Sequence, residues 1–147
     1  MVEGVDFALT LTCPWASIVL AHKPIENRGW PPPTWIIGKR IAIHAGKKFD
    51  EEDWLRAQEI LRRIGINPID AWEKWPHFQV RGAIIGTAVV SGFIDDADAD
   101  RTPHHRSPWF FGRFGWVLED RRRLPTPVAV RGLQKLWRLP RELRGDG

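Results

Sequence analysis

Phe78-Gln79-Val80-Arg81-Gly82-Ala83-Ile84-Ile85-Gly86-Thr87-Ala88-Val89-Val90-Ser91-Gly92-Phe93-Ile94 is the stretch on which the fold turns. Val80, Ile84, Ile85, Thr87, Val89 and Val90 are β-branched and favour extended backbone, while Gly82, Gly86 and Gly92 interrupt them. Glycines at that density inside a strand mark bulges, and bulges bend it. A long, sharply curved central strand of a small barrel is therefore expected.

Working outward, Asp50 caps a helix, Asp53 follows three residues on, and Phe49 is placed to staple Trp54. Trp54, Ala57, Leu61 and Ile64 form its apolar stripe, and Gly65 stops it. Asn67-Pro68 starts a shorter helix running through Trp75. Before these, residues 35–37 and 41–44 read as two short strands around Gly38-Lys39-Arg40, behind the triple-proline loop Pro31-Pro32-Pro33. Residues 7–11 read as a buried first strand, and Cys13-Pro14 opens a helix that runs to about His22 with Trp15, Ile18 and Val19 on its inner face. On the C-terminal side, Asp95 to Pro108 is an acidic and polar loop, followed by strands over 110–119 and 126–130. Strands interleaved with two to three helices predict an α+β fold on a mixed barrel.

At 147 residues the chain suits one domain. A hydrophobic content of 43%, with nine Trp and seven Phe, is enough to fill its core and excludes global disorder. Cys13 is the only cysteine, so no disulfide can form within the chain and a reducing, cytoplasmic setting is expected. No apolar run approaches the length of a membrane span, and Met1 to Asp6 lacks a basic segment followed by an apolar one, so a soluble protein is expected. The net charge of +4 is concentrated late: Arg121, Arg122, Arg123, Arg131, Lys135, Arg138, Arg141 and Arg144 stand against Glu142 and Asp146. The segment at about 121–147 is either a solvated basic tail or an attractor of phosphate-rich partners.

Two clusters carry candidate chemistry. In Lys23-Pro24-Ile25-Glu26-Asn27-Arg28 an extended backbone puts Glu26 and Arg28 on one face. That pair either closes a barrel edge structurally or forms a cleft wall in which Arg28 and Lys23 contact phosphate or base. Lys23 and Glu26 are the only catalytic candidates, and an adjacent carboxylate favours the charged, unreactive ammonium of Lys23. In Ile43-His44-Ala45-Gly46-Lys47-Lys48 a strand end opens into a small-residue turn; His44 there is either a satisfied core histidine or a cleft group. Trp15 and Trp116 suit the core or a base-stacking surface. Cys13 fits a buried or capping role better than a reactive one. His104-His105 lacks partners at zinc-site spacing, Asp95, Asp96, Asp98 and Asp100 lack the loop-ending Glu of a calcium loop, and no nucleotide fingerprint occurs, so neither a metal nor a cofactor is implied.

Lys23, Glu26 and Arg28 match the signature G-x-K-x-x-E-x-R of the ASCH family, with Ala21 in place of its glycine. Ala8-Leu9-Thr10-Leu11 with Pro14-Trp15-Ala16 resembles that family's first strand and helix, and Ile43-His44-Ala45 resembles its next core strand. Phe114 to Asp120 and Pro127-Val128 resemble its closing strands, so the likeness spans about residues 7–137. The resemblance implies a single ASCH-like domain over 1–147 with a PUA-like mixed β-barrel, and an RNA-binding or modified-nucleoside-binding module. Its ligand-facing set would be Trp15, Lys23, Glu26, Arg28, His44, Lys47, Arg113 and Trp116, with single-stranded RNA or a modified nucleoside as partner. Some relatives in that family resemble ribonucleases in action, and one small type hydrolyses acetylated cytidine using the signature lysine and a threonine where this chain has Glu26. An RNA-directed hydrolase is thus the alternative, and a protein-interaction module a second one. Lys23, Glu26, Arg28 and His44 are expected to share one cleft beside the first helix.

Overall fold

The computed structural model describes residues 2–144. Along the chain run β1 (Phe7–Cys13), α1 (Trp15–Val19), β2 (Ile25–Arg28), β3 (Arg40–Phe49), α2 (Glu51–Arg63), α3 (Pro68–Lys74), β4 (Ala83–Asp95), β5 (Phe114–Ala129) and β6 (Leu136–Arg138). The strands form one six-stranded sheet in the order β2-β5-β4-β3-β1-β6. Only β1 and β3 pair in parallel; the other ladders are antiparallel. The fold is α+β with a mixed sheet.

The glycine-rich strand is bulged as its composition implies, but it begins at Ala83 rather than Phe78, since Phe78 lies in a turn and Gly82 takes positive φ just before the strand. The β4–β5 ladder shifts register between Ile84 and Gly86, Thr87 and Val89, and Val90 and Gly92. At Gly86 a side chain would collide with Leu20 and with the Arg122 carbonyl, so the sheet can wrap onto the end of α1 only because that position is bare. Alternation along β1 sends Leu9, Leu11 and Cys13 into the main core with Ile18, Ile43, Leu61 and Trp116. Ala8 faces a smaller cluster with Ala42, Ile84 and Trp137.

The curl stops short of the expected barrel. β2 and β6 are the two ends of the strand order, and no ladder joins them. β6 is the reason on one side, because its three residues cover β1 only from Phe7 to Leu9.

Several boundaries differ from the sequence reading. α1 ends at Val19 rather than near His22, because the N–H groups of Ala21, His22 and Lys23 all converge on the Ile18 carbonyl, and Pro24 disfavours helical backbone at Lys23. Residues 35–37 are not a strand: Thr34–Ile36 is a 3-10 turn closed by Ile36 N–H onto Pro33 O. β3 continues past His44 because β1 pairs alongside it as far as Phe49. The two late strands are one, with Asp120 at positive φ in mid-strand, and β6 is an addition that the sequence pattern does not announce.

The helices follow their signals. Asp50 accepts from Asp53 N–H, Asn67 accepts from Ile69 N–H, and Gly65 takes the left-handed conformation after α2. The inner face of α2 is Ala57, Ile60 and Leu61, whereas Ile64 is exposed. The basic segment is not a tail over its described length. Arg121 donates to Val19 O (3.0 Å), and Arg123 donates to Ser17 O (3.2 Å) and Pro76 O (2.7 Å). Two cations thus satisfy the carbonyl end of α1 and fix the helix that carries Trp15. No helix among the described residues is long and apolar enough to cross a membrane.

Candidate functional site

Where the sheet stays open, two bare strand edges face each other. Among the described residues the outer edge of β1 has no strand partner beyond Leu9, and β2 is paired only with β5. Arg28, at the end of β2, donates from Nη2 to the Thr10 carbonyl of β1 at 2.8 Å. A side chain thus bridges the gap that a ladder would have filled. In this seam lies a cavity of about 300 Å³.

Charged groups form its floor. Lys23 is 1% exposed, and its ammonium donates to Ile25 O and lies 3.4 Å from Glu26 Oε1. Glu26 Oε2 is 3.1 Å from Arg28 Nε, yet that N–H is not aligned for a hydrogen bond and is a buried donor without a partner among the described residues. Such a donor is costly unless something satisfies it. Burial pulls the Lys23 pKa below its ordinary value, against the opposing pull of Glu26. The carboxylate does favour the charged form, as its spacing implied, but desolvation is the larger influence.

Aromatic rings form the wall. The Lys23 ammonium sits 5.2 Å from the Trp15 ring centre and 5.7 Å from that of Phe111. The two rings are 5.5 Å apart and tilted by 45°, too close to admit a flat ligand between them, so a base would lie against the wall. Asn27 holds Phe111 in place: its amide donates to Trp109 O (2.8 Å), and its carbonyl oxygen accepts from the N–H groups of Phe111 and Gly112 (both 3.0 Å). From α2 comes Asp53, a second carboxylate lining the cavity. Burial and the neighbouring Asp50 raise its pKa. Thr10 and Thr12 complete the lining from β1.

The structure therefore brings Trp15, Lys23, Glu26 and Arg28 together and places the other four candidates elsewhere. His44 and Lys47 line a neighbouring cavity, which corrects the expected shared cleft. His44 Nε2–H donates to Val130 O at 2.8 Å. Its Nδ1 then accepts from the Thr10 hydroxyl (3.2 Å), which itself accepts from Trp137 Nε1–H (2.9 Å). Burial keeps this ring neutral, with its pKa lowered. Trp116 is wholly buried and donates to Trp30 O at 3.0 Å, so it belongs to the core. Arg113 pairs with Asp95 on the surface, at 2.8 Å through Nε. Cys13 is buried against Gly46 O, and desolvation raises its thiol pKa, as fits an unreactive thiol.

Sequence reading missed Thr10, Thr12, Asn27, Asp53 and Phe111 as lining residues. Asp53 is claimed in the sequence by the start of α2, which it also serves. Asn27 lies inside the signature, but its role depends on a loop more than eighty positions away in the chain.

With this geometry in view, the fold has a counterpart. The chain is similar to the ASCH protein from Zymomonas mobilis, with a TM-score of 0.50 and 16% identity over 95% of this chain and 89% of that one. Two crystal structures of variants of the same Zymomonas mobilis protein match at a TM-score of 0.48 and 15% identity, covering 95% and 97% of this chain and 89% and 93% of those chains. The fold is thus ASCH-like. A scan against family models finds no match, and neither does a search of the curated proteins. Ala21, which stands where the resembled signature has glycine, does not adopt positive φ.

Proposed function

We propose that this chain is a member of the ASCH family, a single PUA-like domain that acts in the cytoplasm by binding RNA or a modified nucleoside in the seam cavity. The observation that carries this reading is the convergence of Lys23, Glu26 and Arg28 with Trp15 and Phe111 around one cavity. A flat heterocycle has the chemistry to use it. The Trp15–Phe111 wall offers apolar and π contact, Glu26 and Asp53 accept from ring N–H or exocyclic amines, and Arg28 and Thr12 donate to ring carbonyls. The test is mass spectrometry of nucleosides or oligonucleotides released from the purified, denatured protein, followed by calorimetric titration of what is found into wild type and Lys23→Met. Retention of a nucleobase compound whose affinity falls at least tenfold in a folded Lys23→Met variant supports the reading. Equal affinity in both would refute it.

One observation favours a second reading, an RNA-directed hydrolase acting on a phosphodiester or on acylated cytidine. Lys23 is fully desolvated, and burial lowers its pKa, the condition under which a lysine becomes a base or nucleophile. Turnover of acylated cytidines or single-stranded RNA by wild type, lost in folded Lys23→Met and Glu26→Gln variants, would make this the leading reading.

A further inference from the structure

Thr10 lines not only the seam but also a second cavity of about 230 Å³. The other side of that cavity is main chain and cation. Gly46, Gly82 and Gly132 leave the backbone bare, and two of the three are forced to do so. A side chain at Gly132 would strike the His44 ring and come within 2.9 Å of Thr10 Oγ1, and one at Gly46 would press to 3.2 Å on the Leu11 carbonyl. Lys47 and Arg131 stand at the mouth, both exposed. Among the described residues neither has a carboxylate partner, and no acid lines this cavity. His44 adds no charge, since both ring nitrogens are engaged and burial favours the neutral form.

The two adjoining cavities differ in electrical balance. In the seam, Lys23 and Arg28 are matched by Glu26 and Asp53; in the second cavity, Lys47 and Arg131 have no matching acid among the described residues. A ligand suited to both has a neutral part against the aromatic wall and an anionic part beside Thr10. We propose that the second cavity is a phosphate subsite, holding the phosphate of the nucleoside whose base occupies the seam. The ligand is then a nucleotide or an RNA chain rather than a free nucleoside. The planar guanidinium of Arg131 suits two phosphate oxygens, and Lys47 adds a mobile ammonium whose stem lies over Gly82. This inference rests on the nucleobase reading of the seam, and its test separates the two.

The four ribonucleosides, their 5′- and 3′-monophosphates and inorganic phosphate are titrated calorimetrically into wild type, Lys23→Met and the double variant Lys47→Ala/Arg131→Ala. Both altered side chains of the double variant are exposed, so its folding is not at stake. At least one monophosphate should bind about tenfold more tightly than its nucleoside, and the double variant should bring that ratio to about one. On single-stranded RNA the same variant should lower the slope of log affinity against log salt by about 0.7, because the phosphate in the subsite is no longer neutralised by protein cations. Equal binding of nucleoside and monophosphate by wild type, a ratio unchanged in the double variant, or inorganic phosphate binding as tightly as any nucleotide would each overturn the subsite. Nucleotide binding that depends on Lys47 and Arg131 but is indifferent to Lys23→Met would instead overturn the seam reading and leave an anion site standing. Binding of none of these probes at millimolar concentration would overturn both.

Discussion

Aromatic rings are used in opposite ways at the β1–β2 seam and at the corner where α2 and α3 meet β3. At the corner, Trp54, Trp72 and Phe78 pack on one another with ring centres 5.5 to 5.8 Å apart, and Phe49 lies 5.7 Å from Trp72. At the seam, Trp15 and Phe111 pack on an ammonium group and line a cavity. The corner is complete without a ligand, whereas the seam has charges removed from water, a donor without a partner and room for a small molecule. Where polar groups are buried but not satisfied, stability has been given up, and that deficit marks the site.

The largest expected effect follows from that contrast. Glu26→Gln leaves Lys23 and Arg28 without their shared counter-charge and should cost about 3–5 kcal/mol in urea denaturation. Adding Lys23→Met should recover part of the loss, with a coupling of about 0.5–3 kcal/mol in the double-mutant cycle. A Glu26→Gln protein within about 0.5 kcal/mol of wild type would mean that the seam is effectively solvated, and the contrast would collapse. At the corner, Trp72→Ala should cost about 3 kcal/mol, since the ring is only partly buried, while ligand affinity stays unchanged. A matching loss of affinity would show the two regions to be coupled.

Smaller effects sharpen the picture. Asn67→Ala removes the cap of α3 and should cost about 1 kcal/mol, read from the same denaturation midpoint. The smallest concerns pH. Burial lowers the pKa of His44 from its ordinary 6.5, and partial desolvation with the nearby Arg121 and Arg123 lowers that of the exposed His22, whose share solvent screening keeps small. The unfolded chain takes up these protons first, so this contribution to stability is complete above about pH 6.5 and is lost as pH falls toward the folded-state values. His44→Gln should flatten that fall in part, leaving the share that belongs to His22. A stability profile of undiminished steepness would contradict the neutral, hydrogen-bonded ring described above.

Local signals are legible in the sequence wherever a residue acts on its neighbours. The caps at Asp50 and Asn67, the stop at Gly65 and the bulges beside Gly86 and Gly92 are short-range devices that stand where the sequence puts them, whereas the shift between Thr87 and Val89 has no glycine to announce it. The Glu26–Arg28 pair is equally legible, being set by alternation within the four residues of β2, whereas Lys23 precedes the strand. What escapes is set at long range. Whether the sheet closes depends on how far β6 extends along β1, and no pattern within 136–138 announces a strand so short. Phe111 and Asp53 reach the cavity through a distant asparagine and a helix start, and the arginines at 121 and 123 look like a loose basic tract until α1 is seen to need them. His44 lies in the neighbouring cavity for a related reason: strand alternation names a face of the sheet, but not which cavity on that face a residue lines.

Whether a nucleobase compound enters the seam is the central question, and the indole N–H signals of the nine tryptophans can report on it directly in an ¹H–¹⁵N spectrum. On titration with the ribonucleosides and their monophosphates, the Trp15 signal should shift and saturate, while those of Trp116 in the core and Trp72 at the corner stay in place. The shift should disappear in a folded Lys23→Met protein. A Trp15 signal that does not move while nucleotide binds, or one that moves identically in Lys23→Met, would contradict the central claim.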